Sequence, residues 1–160
     1  MKNDISLNDR LPSFSLEATI LNTCSDNDML GHWVVLFIYP KDNTSGCTRE
    51  TKEFNERYLD FKSLGVKVFG LSKDTLASHT SFSEKLNLQF PLISDPQTKL
   101  IEGLNAWKEK SMYGKKYMGA ERSTFLINEN LTLKYIWRKV KVEGHVNEVF
   151  DKYQELMRDL

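Results

Sequence analysis

Val34-Val35-Leu36-Phe37-Ile38-Tyr39, followed by Pro40-Lys41-Asp42-Asn43-Thr44-Ser45-Gly46-Cys47-Thr48, is the stretch that decides how this chain folds. Six apolar residues of high strand propensity predict a strand over 33–39 that is buried on both faces. Pro40 ends the run and a polar turn follows. Phe54, Tyr58 and Phe61 then recur at helical spacing, which predicts a helix over about 47–63. Cys47 therefore sits at a helix N-terminus, where unpaired backbone N–H groups and the positive end of the helix dipole favour a thiolate over a thiol. Core filler is the plainer role for any lone cysteine. A core cysteine, however, has apolar neighbours, whereas Cys47 is flanked by Ser45, Gly46 and Thr48.

Outward from this junction the chain reads as one alternating α/β unit. On the N-terminal side, Phe14-Ser15-Leu16-Glu17-Ala18-Thr19 has the period-2 pattern of a strand, and 21–31 is a polar connection carrying Cys24. On the C-terminal side, Gly65 ends the first helix as a C′ residue and Val66-Lys67-Val68-Phe69-Gly70-Leu71 is the next strand. A helix follows over about 75–87, with Leu76, Phe82 and Leu86 as core candidates, and then a short strand at 91–94. Asp95-Pro96 has the chemistry of an N-cap and first helical residue, opening a helix through Leu100, Ile101 and Leu104. After a loop rich in Lys, Gly and Tyr, strands at 123–128 and 131–138 flank Glu129-Asn130 as a hairpin. A final helix puts Val146, Val149, Phe150, Tyr153 and Leu156 on one stripe. Periodicity supports an α/β sandwich with a mixed sheet.

Composition narrows the function classes. A chain of 160 residues fits a single domain over 1–160. Lys plus Arg and Asp plus Glu both number 22, so the formal charge is zero and no nucleic acid or anionic membrane is indicated as a partner. No apolar stretch has signal-peptide or membrane-span length, and two cysteines 23 positions apart are not a secreted disulfide framework, so a cytoplasmic location is expected. There is no dinucleotide or phosphate-loop glycine motif and no Cys/His zinc spacing, so neither cofactor nor metal is expected. His32, His79 and His145 are scattered and read as structural or surface residues. A cysteine phosphatase would need arginine where Glu53 stands, and a dithiol oxidoreductase would need a second cysteine at Glu50.

The segment from Tyr39 to Thr48 resembles the peroxidatic-cysteine segment of peroxiredoxins, in which Pro, three residues, Thr or Ser, two residues and Cys recur; Pro40, Thr44 and Cys47 fill the pattern. It is most similar to the bacterioferritin comigratory protein (PrxQ) subfamily, with its Tyr-Pro-Lys-Asp opening and Gly-Cys-Thr ending. Segments 108–115, 121–127 and 137–140 are also similar to that subfamily, while Ser45 departs from its usual proline. The resemblance implies a thioredoxin-like fold with an N-terminal β extension, a central mixed sheet and helices on both faces. It implies a thiol peroxidase that reduces hydrogen peroxide and organic hydroperoxides through a sulfenic acid at Cys47. Ionisation alone is insufficient for that: a thiol of ordinary pKa is already about 3% thiolate at pH 7, so full ionisation gains roughly 30-fold, or about 2 kcal/mol. Thr44, the Gly46 and Cys47 N–H groups and Arg122 are the implied peroxide-binding groups, with Glu50 fixing Arg122 and Pro40 shielding the sulfur.

Regeneration departs from the subfamily. Lys52 and Ser83 occupy the two positions at which relatives carry a resolving cysteine. Cys24, in a polar connection expected to be mobile, is the remaining intramolecular candidate. One-cysteine turnover is the expectation, with thioredoxin, glutaredoxin or glutathione as reductant, and a monomeric protein. The alternative is a thioredoxin-fold binding or chaperone module that has lost turnover, but a pure binder has no need of Thr44, Cys47 and Arg122 together.

Overall fold

The structure, a computed structural model, describes residues 4–160; the first three residues of the N-terminal stretch lie outside them. Strand β3 (Trp33–Ile38) is the spine of a seven-stranded mixed sheet of order β2-β1-β5-β4-β3-β8-β9. Its alternate side chains enter two separate cores, which is why the run is apolar without interruption. Val34, Leu36 and Ile38 pack with Leu11, Phe69 and Phe125, while Val35 and Phe37 pack with Phe54, Phe61 and Phe82.

The neighbours of β3 are β4 (Val66–Ser72), parallel, and β8 (Ser123–Ile127), antiparallel. Beyond β4 lies β5 (Leu92–Ser94), parallel to it, then β1 (Ser15–Ala18) and β2 (Asn22–Ser25); β9 (Leu133–Trp137) closes the other edge. The crossovers β3 to β4 and β4 to β5 advance in one direction, so right-handed connection puts their helices on the same face. These are α1 (Ser45–Glu56), α2 (Tyr58–Ser63) and α3 (Leu76–Leu86), joined there by α5 (His145–Arg158). The opposite face is covered by α4 (Lys99–Gly103) and by the base of a hairpin, β6 (Trp107–Met112) and β7 (Lys115–Ala120).

Several predicted elements are modified. The helix expected over 47–63 is two helices, broken at Arg57, whose guanidinium lies 4.1 Å over the Phe150 ring of α5. Gly65 is the expected C′ residue, with φ +77°. Asp95 does not begin α4, which starts four residues later; its carboxylate instead reaches forward to the N–H groups of Lys99 and Ile101 at 3.1 and 2.9 Å and caps the helix from a distance. The Lys/Gly/Tyr-rich loop is the β6–β7 hairpin, turned at Tyr113-Gly114 with both residues at positive φ. The turn between β8 and β9 spans 128–132, with the Asn128 side chain accepting from the Asn130 and Thr132 N–H groups. The connection over 21–31 contains strand β2, and Cys24 within it is fully buried.

Candidate active site

Antiparallel pairing of β3 with β8 sets Ile38 opposite Ser123, so the residue preceding β8, Arg122, arrives beside the loop that leaves β3. The backbone of Arg122 is fixed there by the Val140 N–H, which donates to its carbonyl at 3.0 Å. Its guanidinium then spans two residues one turn apart on α1. Nη1 donates to Glu50 Oε1 at 2.7 Å, and Nη2 approaches Cys47 Sγ at 3.4 Å. Gly46 leaves room for this: a Cβ at that position would lie 3.2 Å from Arg122 Nη2.

Cys47 is the third residue of α1 and 1% exposed. Thr44 is the N-cap, and its carbonyl takes the first helical bond from Thr48 N–H at 2.9 Å. Its hydroxyl makes no capping bond and donates back to the Lys41 carbonyl at 2.9 Å. The Thr44 lone pairs and the first N–H groups of α1 are therefore not spent on each other. Pro40, half-buried, separates the end of β3 from this turn.

The electrostatics centre on Glu50, which is fully buried, with Oε2 lacking a hydrogen-bond partner among the described residues. Burial pushes its carboxyl up to about 7, and Arg122 offsets only part of that rise. Burial pulls the Arg122 guanidinium down, but Glu50 and Cys47 outweigh it and hold the group above its usual value. Lys110, on β6, is pulled below the ordinary lysine range first by burial and then by Arg122, with Cys47 pulling the other way. The site thus couples one sulfur, one buried carboxyl and two cations in a region largely withdrawn from water.

Cys47, Glu50 and Arg122 are brought into one hydrogen-bonded set, with Thr44 at the N-cap of the same helix; Pro40 lies in the turn that follows β3. Cys24 is not part of this set. It lies on the edge strand β2, in the core on the opposite sheet face from Cys47, and β2 is four strand spacings from β3, roughly 19 Å. A disulfide needs Cα atoms within about 7 Å, so the pairing is closed to the folded chain. Burial also pushes the Cys24 thiol up to about 12. Lys52 is exposed on α1, and Ser83 lines a shallow groove with Thr19, Ile20 and Thr80.

Two of the histidines read as structural or surface residues are structural, each buried against a partner that the sequence did not reveal. His79 is buried against Asp42 at 2.8 Å, and His145 Nε2 lies 2.8 Å from the Thr124 hydroxyl, with burial pushing that ring down to about 4. Both contacts join residues distant in sequence, so spacing carried no signal of them.

The AhpC/TSA family model matches residues 7–136. Peroxiredoxin Bcp of Bacillus subtilis is 40% identical over 152 residues, covering 95% of this chain and 97% of its own. Peroxiredoxin Bcp of Xanthomonas campestris is 45% identical over 119 residues, 74% of each chain. The crystal structure of a cysteine-to-serine mutant of Xylella fastidiosa PrxQ superposes with a TM-score of 0.91 at 36% identity, covering 98% of this chain and 99% of that one. The bacterioferritin comigratory protein of Xanthomonas campestris, studied for alkyl peroxide reduction, gives 0.84 at 39% identity over 89% and 90%. Sequence, fold and the cysteine-bearing turn agree: the chain belongs to the AhpC/TSA family and is a Bcp/PrxQ peroxiredoxin, a thiol peroxidase of thioredoxin-like fold.

Proposed function

We propose that Cys47 is the nucleophile of this thiol peroxidase, that Arg122, Thr44 and the first N–H groups of α1 bind the peroxide, and that Glu50 orients Arg122. The observation that carries this reading is the Arg122 fork, which contacts Cys47 Sγ at 3.4 Å and Glu50 Oε1 at 2.7 Å. The thiolate attacks one peroxide oxygen; an S–O bond forms, the O–O bond breaks, and its electron pair leaves on the second oxygen. That oxygen takes a proton and departs as water or an alcohol, leaving Cys47 as the sulfenic acid. Charge grows on the leaving oxygen, where a guanidinium already in place stabilises it without reorganisation. Pro40 shields the sulfur from bulk water.

Regeneration proceeds through an external thiol: thioredoxin, glutaredoxin or glutathione attacks the sulfenic sulfur, water leaves, and a second thiol releases the mixed disulfide. The seclusion of Cys24 on the other sheet face and the serine at position 83 favour this route. Because Cys47 is 1% exposed, the first turn of α1 must open for that attack. We read the protein as a monomer in a cytoplasmic compartment, and its two free cysteines fit the reducing character of that compartment.

The test is peroxide consumption with each of the three reductants, for the unaltered chain and for Cys47→Ser. Turnover with at least one reductant, abolished in the variant, is expected; equal rates in the two proteins would end the assignment of Cys47. One equivalent of peroxide should yield a dimedone adduct on Cys47, and a Cys24–Cys47 disulfide in its place would overturn the one-cysteine route.

A further inference from the structure

The 40–44 loop, which leads from β3 to the N-cap of α1, is held from behind by a buried polar cluster. Asp42 Oδ1 accepts from the Tyr39 hydroxyl at 2.6 Å, and Oδ2 accepts from the Ser78 hydroxyl at 2.8 Å and lies 2.8 Å from His79 Nδ1. The Asp42 N–H donates to Asp74 Oδ2 at 2.9 Å, just past the end of β4. His79 is fully buried, and its other ring nitrogen, Nε2, lies 3.0 Å from the Ile93 carbonyl of β5. A carbonyl oxygen only accepts, so Nε2 carries a hydrogen. The Nδ1 nitrogen and the Asp42 carboxyl share the hydrogen bond between them, so both ring nitrogens of this buried side chain are engaged. Although Asp42, Asp74 and His79 present ligand atoms within 4.8 Å of one another, both ring nitrogens are taken, and the cluster is a clamp rather than a metal site.

We propose that His79 is a positioning residue for the peroxidase reaction: through Asp42 it ties the 40–44 loop to α3 and β5, and so sets where Thr44 and the start of α1 meet the peroxide. This rests on the assignment of Cys47 as nucleophile. Asn43 holds a left-handed conformation at φ +64°, and Thr44 is exposed, so the loop has little packing of its own to define it. Asp42 is the residue through which it bonds to Asp74 just past β4, to α3 and, by way of His79, to β5. Loss of the clamp leaves Cys47 in α1 but misplaces the groups that receive the peroxide. A displacement of about 1 Å at such groups costs on the order of 10²-fold.

The experiment compares second-order rate constants of Cys47 with hydrogen peroxide and with iodoacetamide, each read at Cys47 by mass spectrometry. It uses the unaltered chain, His79→Ala, Asp42→Asn and the double variant. Alkylation needs the thiolate and the opening of the first turn of α1, but none of the groups that hold the peroxide oxygens, whereas peroxide needs the loop groups in place. Each single variant should lose about 10- to 100-fold toward peroxide while staying within about threefold toward iodoacetamide. The double variant should be no worse than the weaker single variant by more than about threefold, as expected for residues acting as a unit. A peroxide rate within about threefold of the unaltered chain, a parallel fall of both rates, or additive losses would each overturn the proposal. If His79→Ala folds poorly, Tyr39→Phe removes one bond to Asp42 with little loss of packing; it should slow the peroxide step by about three- to tenfold and leave alkylation unchanged, and no change in the peroxide step would overturn the proposal. Failure of the parent assignment looks different, because Cys47→Ser would then retain peroxide turnover.

Discussion

Glu50 lies one helical turn after Cys47, fully buried, with one carboxyl oxygen on Arg122 and the other without a partner among the described residues. Its carboxyl is raised from 4.5 to about 7, first by burial. In that window the folded protein binds more protons than the unfolded chain, so the contribution of Glu50 to stability is full below 4.5 and is lost as pH rises through about 7. A carboxyl carbon titration by NMR should inflect near 7, and Arg122→Ala should move the inflection higher, because Arg122 is the group that pulls it down. An inflection at the ordinary 4.5 would show that water reaches the carboxyl. The same Arg122→Ala variant should lower peroxidase turnover by roughly 10²-fold, the scale of losing one preorganised charge-stabilising donor. A loss smaller than about threefold would mean that another cation does this work. Cys47 at a helix start is legible in a ten-residue stretch because that geometry is local, while the roles of Pro40 and Thr44 came with the family resemblance to the same stretch. Arg122 needed a family resemblance, since 75 residues separate it from Cys47.

Strands and helices decide what each side chain faces. The edge strand β2 buries Cys24 in the core away from the site, so Cys24→Ala should leave turnover with an external thiol within about twofold, since the substitution only trims a buried side chain remote from the chemistry. A peroxidase rate that collapses in that variant would restore Cys24 to the mechanism. In the central strand β4, Gly70 is hemmed in: a Cβ would lie 2.7 Å from Leu92 Cδ2 and 3.0 Å from Phe37 Cζ, and the Phe37 ring stacks on Phe54 of α1 at 4.4 Å. Gly70→Ala should therefore cost about 1–3 kcal/mol in urea unfolding through overpacking. A neutral result would mean that β4 and β5 can separate without penalty. The β6–β7 hairpin escaped detection because its middle and tip are solvated and carry no alternating pattern, and β2 escaped because four residues with one buried side chain are too few for periodicity to register.

For the molecule as a whole, balanced charge and a pI near 6.8 give no long-range field to gather polyanionic partners. The expected monomer should sediment as a single species of 18.6 kDa, both reduced and after one equivalent of peroxide. A species of twice that mass appearing on oxidation would identify an intermolecular disulfide as the resolving step. The architecture also explains the position of the candidate active site. Two parallel crossovers place α1 and α3 side by side on one face, and the antiparallel return of β8 delivers Arg122 to the end of β3 from which the loop departs. The site is assembled where these directions meet.

What the amino-acid sequence determined by itself was local: a buried central strand, a turn and a thiol at a helix start, because strand propensity, proline and helical spacing act over a few residues. Residue identity at Lys52 and Ser83 is equally local, although its bearing on the resolving step comes from the family resemblance. Tertiary structure alone decided the rest. Sheet order put Cys24 on the far face, β3–β8 register brought Arg122 to Cys47 and Glu50, and helix α3 carried His79 to Asp42. Each is a contact between residues distant in sequence, set by which strands pair and on which face a crossover helix lands, and no periodicity within a segment encodes that choice.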